Sequence, residues 1–269
     1  MDVLDARGVE KAVVLVAHGL NLRAHALRDL YEPLRDRGAT IVVLQLRGHA
    51  RDAVADAQTR EAWKSLDASE WVEDWRSAVE RATELCAARG LPLAFLGYSL
   101  GALIHVYGLA SGQLGRNPFV RQVLLAPALR VRSRTRLVLL FRPFGRRFTV
   151  RSFAPPDVRS HDSTSMAAYE SLFDLEAALS ALPEPRRLKI PTVVAVDPGD
   201  ELVSHRRIVE WIDRNGLRPE WRVHTLAKDA DTARSRIRHY VINERGLGAP
   251  AFRALTSLIA DVLIDGTLP

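Results

Sequence analysis

The chain has 269 residues, of which 47% are hydrophobic and 26% are charged. These values are typical of globular proteins and exclude a disordered chain, and the apolar runs are too short to cross a bilayer. The formal net charge is +6, but the window 130–151 alone contains eight arginines and no acidic residue, so the rest sums to −2. Any argument from basicity therefore concerns one segment.

The cysteine content and the first residues exclude further classes of protein. The single cysteine, Cys86, excludes an internal disulfide framework and a zinc site built from cysteines. The first eleven residues lack the charged start and apolar core of a secretory signal, so we expect a cytoplasmic protein. The sequence shows no glycine-rich phosphate loop and no metal-spaced cluster of His, Asp or Glu, and we expect neither an organic cofactor nor a metal.

Short apolar runs alternate with amphipathic stretches along the chain. Runs rich in β-branched residues predict six strands, at 12–17, 40–46, 91–96, 120–126, 191–196 and 221–226. Helical periodicity predicts helices at 21–37, 69–89, 100–109, 166–182, 204–215 and 250–265. This alternation predicts a mostly parallel sheet with helices on both faces.

One connection breaks this rhythm. Roughly 60 residues separate the fourth predicted strand from the fifth, which is longer than an ordinary loop. We therefore expect a body formed by residues 1–127 and 183–269, with an inserted cap at 128–182. The basic window lies in the first half of this cap.

A glycine-rich turn joins the third predicted strand to the next helix. It reads Gly97-Tyr98-Ser99-Leu100-Gly101. Small residues two positions before and after the serine let strand and helix approach closely, and the sharp turn exposes the hydroxyl at the carboxyl end of the sheet. The pattern predicts a nucleophilic Ser99, with the N–H of Leu100 at a helix start facing the same space.

The loop after the first strand supplies a second backbone donor. It reads His18-Gly19-Leu20-Asn21, and in this architecture it lies beside the serine turn. We expect the N–H of Leu20 to pair with that of Leu100 as an oxyanion hole. The neighbouring residues His18, Gly19, Asn21 and Tyr98 are expected to line the substrate site.

In this architecture the chain order is serine, then acid, then histidine, so the base is expected to follow both Ser99 and the acid. Three histidines qualify. His224 lies inside the last predicted strand and His205 begins a helix too close to the acid turn. His239 follows the last strand, from where its ring can reach Ser99, and is favoured as the base.

The acid is expected just beyond the fifth predicted strand, where Asp197, Asp200 and Glu201 compete. Asp197 ends the strand and could simply cap the following Pro-Gly turn. Asp200 lies beyond that turn, from where its carboxylate can reach back to His239. It is favoured as the group that orients the imidazole and stabilises its charged form.

Six segments together resemble the α/β-hydrolase superfamily. They are AHGLN (17–21), LQLRGHA (44–50), GYSLG (97–101), LLAPAL (124–129), DPGDELVS (197–204) and RHYVINERG (238–246). The chain is most similar to the group of monoacylglycerol lipases, lysophospholipases and carboxylesterases. The resemblance also assigns the acid to Asp200 and the base to His239. It implies a sheet of about six strands, because only about ten residues precede the first strand and the family's N-terminal hairpin has no room.

The resemblance implies a serine hydrolase that cleaves lipid-like or small carboxylic esters through an acyl-enzyme, without a cofactor. A thioesterase or an acyltransferase would use the same three side chains. A non-catalytic, ligand-binding member of the fold is the alternative from another class, although it would have no chemical need for an intact Ser99, Asp200 and His239.

Three interpretations of the basic window, Arg130–Arg151, stay open. It is a solvated cap surface, a membrane-facing lid in which arginines flank the apolar LVLLF, or a site for an anionic acyl substrate. Nucleic-acid binding is disfavoured because only three phenylalanines, and no other aromatic residue, accompany the arginines.

Overall fold

A computed structural model describes residues 1–52, 55–182, 186–231 and 233–268. Its main sheet contains seven strands: β1 (Asp2–Leu4), β2 (Ala12–Ala17), β3 (Ala39–Val43), β4 (Leu93–Tyr98), β5 (Phe119–Leu125), β8 (Thr192–Val196) and β9 (Trp221–Thr225). A separate antiparallel hairpin is formed by β6 (Thr149–Arg151) and β7 (Ser163–Ser165). The order in the main sheet is β1-β3-β2-β4-β5-β8-β9, and all neighbouring pairs except β1 and β3 are parallel.

Helices surround this sheet and confirm the predicted α/β class. They are α1 (Arg28–Asp36), α2 (Ala57–Ser65), α3 (Ala68–Arg89), α4 (Leu100–Ala110), α5 (Met166–Ala181), α6 (His205–Arg214), α7 (Glu244–Leu247) and α8 (Ala249–Ala260). Shorter turns of other helix types cover Ala24–Leu27, Ser133–Phe144, Arg186–Leu188 and Asp261–Asp265. In the described part of the chain, no helix combines the length and the apolar composition needed to cross a membrane.

The main sheet has one strand more than the predicted six. The additional strand, β1, is only three residues long and pairs antiparallel with β3 at the sheet edge. It escaped prediction because an edge strand of this length is only partly buried and shows no continuous apolar run. The turn at Gly38, with φ of +99°, then lets the chain pass from α1 into β3.

The central strands carry the candidate site at their carboxyl ends. Strands β2, β3, β4 and β8 are buried along their whole length, as expected for parallel strands covered on both faces. Among the described residues, positive φ outside glycine occurs at Asn21 (55°), Ser99 (50°) and Ala126 (40°). These three residues follow β2, β4 and β5, so the unusual backbone conformations gather at one edge of the sheet.

The connection between β5 and β8 contains three pieces in chain order. The 3-10 segment Ser133–Phe144 comes first, the β6–β7 hairpin second and α5 third. Helix α5 packs against α2, α3 and α4 as well as against the 3-10 segment. The second half of the predicted cap therefore rests on helices of the body.

Candidate active site

Ser99 stands at the tip of a sharp turn between β4 and α4. Its φ of 50° and ψ of −110° lie outside helix and strand values. A Cβ added to Gly101 would lie 2.6 Å from backbone atoms of Ala17 and His18, and one added to Gly97 would lie 3.0 Å from the Cα of Ala102. The turn thus requires glycine on both sides of the serine. Backbone at the end of β2 occupies the space beside Gly101, and the Phe95 ring together with backbone of α4 occupies the space beside Gly97.

The structure brings Ser99, His239 and Asp200 into one hydrogen-bonded row. Ser99 Oγ lies 3.0 Å from Nε2 of His239, and Nδ1 of the same ring lies 2.7 Å from Oδ2 of Asp200. Because a carboxylate can only accept, Nδ1 carries the hydrogen and Nε2 is left to accept the serine proton. All three residues are buried. This is the arrangement that activates a serine for nucleophilic attack.

Backbone groups hold the Asp200 carboxylate from its other side. Its Oδ1 accepts hydrogen bonds from the N–H groups of Leu202 at 2.7 Å and Val203 at 2.9 Å. Burial alone would raise the pKa of Asp200, but the His239 ring and these two donors outweigh it and hold the pKa below the ordinary 3.8. The Asp200 carboxyl is therefore ionised at neutral pH.

The other candidate acids bond to backbone groups. Asp197 Oδ1 accepts from the N–H of Gly199 at 2.7 Å and so caps the turn after β8. The Glu201 carboxylate accepts from the N–H groups of Arg238, at 2.9 Å, and of His239, at 3.1 Å. Glu201 thus fixes the backbone that carries the candidate base, a role that its position in the sequence did not suggest.

The competing histidines lie where the sequence indicated. His205 is the first residue of α6 and His224 lies within β9. His239 follows β9 in the loop that leads to α7. Among the histidine rings in the described part of the chain, only that of His239 forms a hydrogen bond with Ser99 Oγ.

Leu20 and Leu100 occupy the positions expected for the oxyanion hole. Leu100 is the first residue of α4, where backbone N–H groups have no partner within the helix. Leu20 follows Gly19, whose added Cβ would lie 2.8 Å from the Tyr98 ring and 3.3 Å from the Ser99 Cβ. The two loops are therefore in close contact, and the glycine is what permits it.

Asn21 connects the loop of residues 18–21 to residues 161–164 of the predicted cap. Its side-chain amide donates to the backbone oxygen of His161 at 3.0 Å and to Oγ1 of Thr164 at 3.2 Å, and its Oδ1 accepts from the N–H of His161 at 2.8 Å. Although Asn21 lines the cavity described below, these bonds occupy its polar atoms. Its main contribution is to join the two segments rather than to recognise a ligand.

A cluster of buried histidine and tryptophan rings supports this loop from below. Nε2 of His49 accepts from the N–H of Asn21 at 3.2 Å, and its ring contacts the rings of His18 and Trp63. The Trp63 ring in turn stacks on His161 at 4.9 Å. Burial lowers the pKa of His18 to about 4 and that of His49 well below 6.5, so both rings are neutral. His49 belongs to the LQLRGHA segment, whose sequence did not reveal this contact.

A cavity of about 410 Å³ opens above Ser99 and His239. Its wall is mostly apolar and is formed by the body together with residues 128–172 of the cap. Of the residues expected to line the substrate site, Asn21 and Tyr98 lie on this wall, together with Leu20. His18 and Gly19 do not: the His18 ring packs against His49, and Gly19 lies against Tyr98 and Ser99. The hydroxyl of Tyr98 donates to the backbone oxygen of His239 at 2.9 Å, so Tyr98 also helps to fix the position of His239.

The model of the family described as "Serine aminopeptidase, S33" matches residues 8–180 of the chain. The chain belongs to this family. The predicted membership of the α/β-hydrolase superfamily is thereby confirmed. No curated protein matches the chain in sequence.

Several solved structures share the fold at low sequence identity. A soluble variant of the Saccharomyces cerevisiae monoglyceride lipase superimposes with a TM-score of 0.74 and 15% identity, covering 99% of this chain and 90% of that one. A structure reported with the metagenome-derived lipolytic enzymes LipS and LipT gives 0.69 and 22%, covering 95% and 96%. A thermostable Bacillus coagulans carboxyl esterase gives 0.66 and 13%, covering 97% and 93%. This S33 family member therefore shares the fold of these hydrolases.

Most arginines of the basic window bond to groups within the protein. Arg136 pairs with the buried Glu176 and lies over the Phe173 ring at 4.8 Å. Arg142 pairs with the buried Glu170 at 2.9 Å. The remaining bonded arginines are Arg130, Arg132, Arg134, Arg146 and Arg147. Seven of the eight thus have protein partners, although the side chains of Arg142 and Arg147 remain more than half exposed.

Proposed function

We propose that this S33 family member is a carboxylic ester hydrolase that uses Ser99 as nucleophile, His239 as general base and acid, and Asp200 as the orienting carboxylate. The observation that carries the proposal is the hydrogen-bonded row of these side chains at the floor of an apolar cavity. The family match and the lipase and esterase neighbours support it.

Acylation begins when Ser99 Oγ attacks the ester carbonyl carbon while its proton passes to Nε2 of His239. The carbonyl oxygen becomes an oxyanion and accepts hydrogen bonds from the N–H groups of Leu20 and Leu100. Such donors are each worth about 10²- to 10³-fold in kcat in related chemistry. The tetrahedral intermediate then collapses, the bond to the alcohol oxygen breaks, and Nε2–H of His239 protonates the leaving alcohol.

Deacylation repeats these steps with water. His239 Nε2 takes a proton from water as its oxygen attacks the acyl carbon, and the same proton is returned to Ser99 Oγ when the acid leaves. Asp200 stabilises the imidazolium in both halves of the reaction without itself taking the proton. No metal or organic cofactor has a step in this sequence.

The cavity favours an uncharged acyl ester over a peptide with a free amino end. An aminopeptidase needs a carboxylate that is free to pair with the substrate's ammonium group. Glu201 lines the cavity, but its oxygens already accept from the N–H groups of Arg238 and His239. A volume of about 410 Å³ fits one acyl chain with a small alcohol, because ligand sites of this kind span roughly 300–1,000 Å³.

The nucleophile can be tested by labelling with a fluorophosphonate. We expect the native protein to gain one label detected by mass spectrometry, Ser99→Ala to gain none, and Ser111→Ala, at the other end of α4, to label normally. Absence of labelling in the native protein would overturn the proposed function.

The reaction class can be tested with matched substrates. We expect 4-nitrophenyl esters of increasing chain length to be cleaved faster than the corresponding thioesters and much faster than aminoacyl 4-nitroanilides. Addition of excess alcohol shows whether the acyl group goes to water or to an acceptor. Preference for the thioester, or for the alcohol, would replace the hydrolase proposal by a thioesterase or an acyltransferase.

The proposal extends to the cap, residues 128–182, as the element through which the enzyme contacts a lipid surface. Leu140 and Phe144 of the 3-10 segment are 73% and 68% exposed, and Phe153, on the cavity wall, is 82% exposed. The Phe144 ring contacts the rings of Phe141 and Phe148, and an exposed cluster of apolar side chains is typical of a contact surface. Since the arginines are largely bonded internally, we expect apolar contact to contribute more than charge.

Co-sedimentation with vesicles tests this contact. We expect the native protein to bind neutral phosphatidylcholine vesicles, with little gain from anionic lipid or from low salt. The double variant Leu140→Ser/Phe144→Ser should lose binding, while Val9→Ser, which removes an exposed apolar side chain elsewhere, should not. Binding that requires anionic lipid and vanishes in salt would assign the contact to the arginines instead.

A further inference from the structure

The acid turn is the segment of residues 197–203, which follows β8. Its backbone carbonyl groups are not bonded within a regular helix or strand. Such groups need donors when they are buried, and irregular turns obtain them from side chains. Three of these carbonyls meet one guanidinium. Nε of Arg132 lies 2.6 Å from the oxygen of Asp200 and 3.2 Å from that of Val203, and its Nη2 lies 3.2 Å from that of Pro198.

The backbone of the same arginine joins this contact. Val131 and Val203 form an isolated antiparallel bridge, and the N–H of Arg132 donates to the oxygen of Leu202 at 2.8 Å. The N–H of Ser204 donates back to the oxygen of Arg130 at 2.8 Å. The first residues of the cap thus run beside the acid turn, and the Arg132 side chain reaches across it.

The position of the Asp200 carboxylate depends on the backbone that Arg132 holds. Oδ1 is fixed by the N–H groups of Leu202 and Val203, which belong to the turn itself. A shift of this backbone would move Oδ2 away from Nδ1 of His239, now at 2.7 Å. A planar, permanently charged guanidinium with several N–H groups suits three carbonyls better than an ammonium group does.

We infer that Arg132 is a positioning residue that acts through Asp200: it clamps the acid turn so that Asp200 stays in hydrogen-bond contact with His239. The inference rests on the proposed function, because it assigns Arg132 a part in that reaction. It also gives one arginine of the basic window a task in catalysis, and it couples the start of the cap to the acid.

A double-mutant cycle tests this assignment. The variants are Arg132→Gln, Asp200→Asn and the pair together, measured with a short soluble 4-nitrophenyl ester and normalised to the serine that a fluorophosphonate titrates. We expect Arg132→Gln to lower kcat by about 10²-fold with little change in KM, since displacement of a catalytic group by about 1 Å has such an effect. In the Asp200→Asn background, where the orienting carboxylate is already lost, we expect less than about twofold further loss.

Two further variants separate positioning from a general loss of structure. Arg132→Lys, which retains the charge, should recover part of the lost kcat, and Arg147→Gln, an exposed cap arginine paired with Glu61, should leave kcat unchanged. Where activity in the Asp200→Asn background is too low, the rate of fluorophosphonate labelling gives the same comparison. Equal losses in both backgrounds, or a fall in Tm with unchanged kcat per titrated site, would overturn the inference. A native enzyme that labels at Ser99 but gives equal losses refutes Arg132 alone and leaves the proposed function standing.

Discussion

The serine turn and the acid turn hold their side chains by different means. The serine turn, Gly97–Gly101, is fixed by close packing of backbone against backbone, with glycines where any Cβ would collide. The acid turn, residues 197–203, is fixed by hydrogen bonds, and three of its carbonyls depend on Arg132 of the cap. The geometry of the serine turn is therefore set within the body, whereas the geometry of the acid turn also depends on the cap.

This difference separates stability from activity. A change that fills space at the serine turn should disturb folding and catalysis together, because the same atoms form the core. A change that removes a polar partner at the acid turn should impair catalysis first, because the surrounding backbone is also held by β8 and α6. The predictions below start from this contrast.

The largest effect is expected for Asp200→Asn. The variant keeps the size of the side chain but presents an amide to Nδ1 of His239, which favours the wrong tautomer of the imidazole. We expect kcat to fall by about 10⁴-fold with Tm close to that of the native protein. Steady-state kinetics and a thermal melt measure the two quantities. A loss of less than tenfold would show that another group orients His239.

Gly101→Ala should lower both the stability of the protein and the reactivity of Ser99. The new Cβ would lie 2.6 Å from backbone atoms of Ala17 and His18, which cannot move without displacing β2. Overpacking of this kind costs about 1–3 kcal/mol, and we expect a lower Tm together with slower labelling of Ser99. Gly115→Ala is the control, because a Cβ there meets no atom within 4 Å. Equal behaviour of the two variants would contradict the packing argument.

The serine turn could be predicted from the sequence because its cause is local. An apolar strand, two glycines and a helix lie within about twenty residues, and each constrains its neighbours directly. The same holds for the mostly parallel sheet, which the alternation of strands and helices along the chain implies. Strand β1 was missed because its partner β3 lies almost forty residues further along the chain. In addition, β1 is too short and too exposed to show a clear apolar pattern.

The supports of the site could not be predicted in this way. Arg132 meets the acid turn across 66–71 residues of chain, and Asn21 meets the β6–β7 region across about 140. The basic window shows the same limit, since its sequence did not reveal that Arg142 pairs with Glu170 and Arg136 with Glu176. Such contacts depend on tertiary geometry, which residue spacing does not encode.

The smallest effect concerns Glu176, which supports the residues beside the acid turn. Its Oε1 accepts from the N–H of Val131 at 3.0 Å, and its other oxygen pairs with Arg136. Burial raises the pKa of Glu176 above the ordinary 4.5, although the arginines oppose this. Relative to the unfolded chain, the fold therefore favours the neutral carboxyl of Glu176. The stability that this carboxyl contributes is fully present below pH 4.5 and is lost as pH rises through the raised pKa.

Glu176→Gln removes this titration. We expect the free energy of unfolding of the variant, measured by urea denaturation, to rise relative to the native protein as pH increases from about 4 towards 7. Glu61→Gln is the matched control on the exposed Arg147 pair, where the hydrogen bond with Arg147 lowers the pKa of Glu61. Its difference from the native protein should therefore have the opposite sign and be small, because exposed pairs contribute little. The same pH trend in both variants would show that the change in net charge, rather than burial of Glu176 beside the acid turn, governs the response.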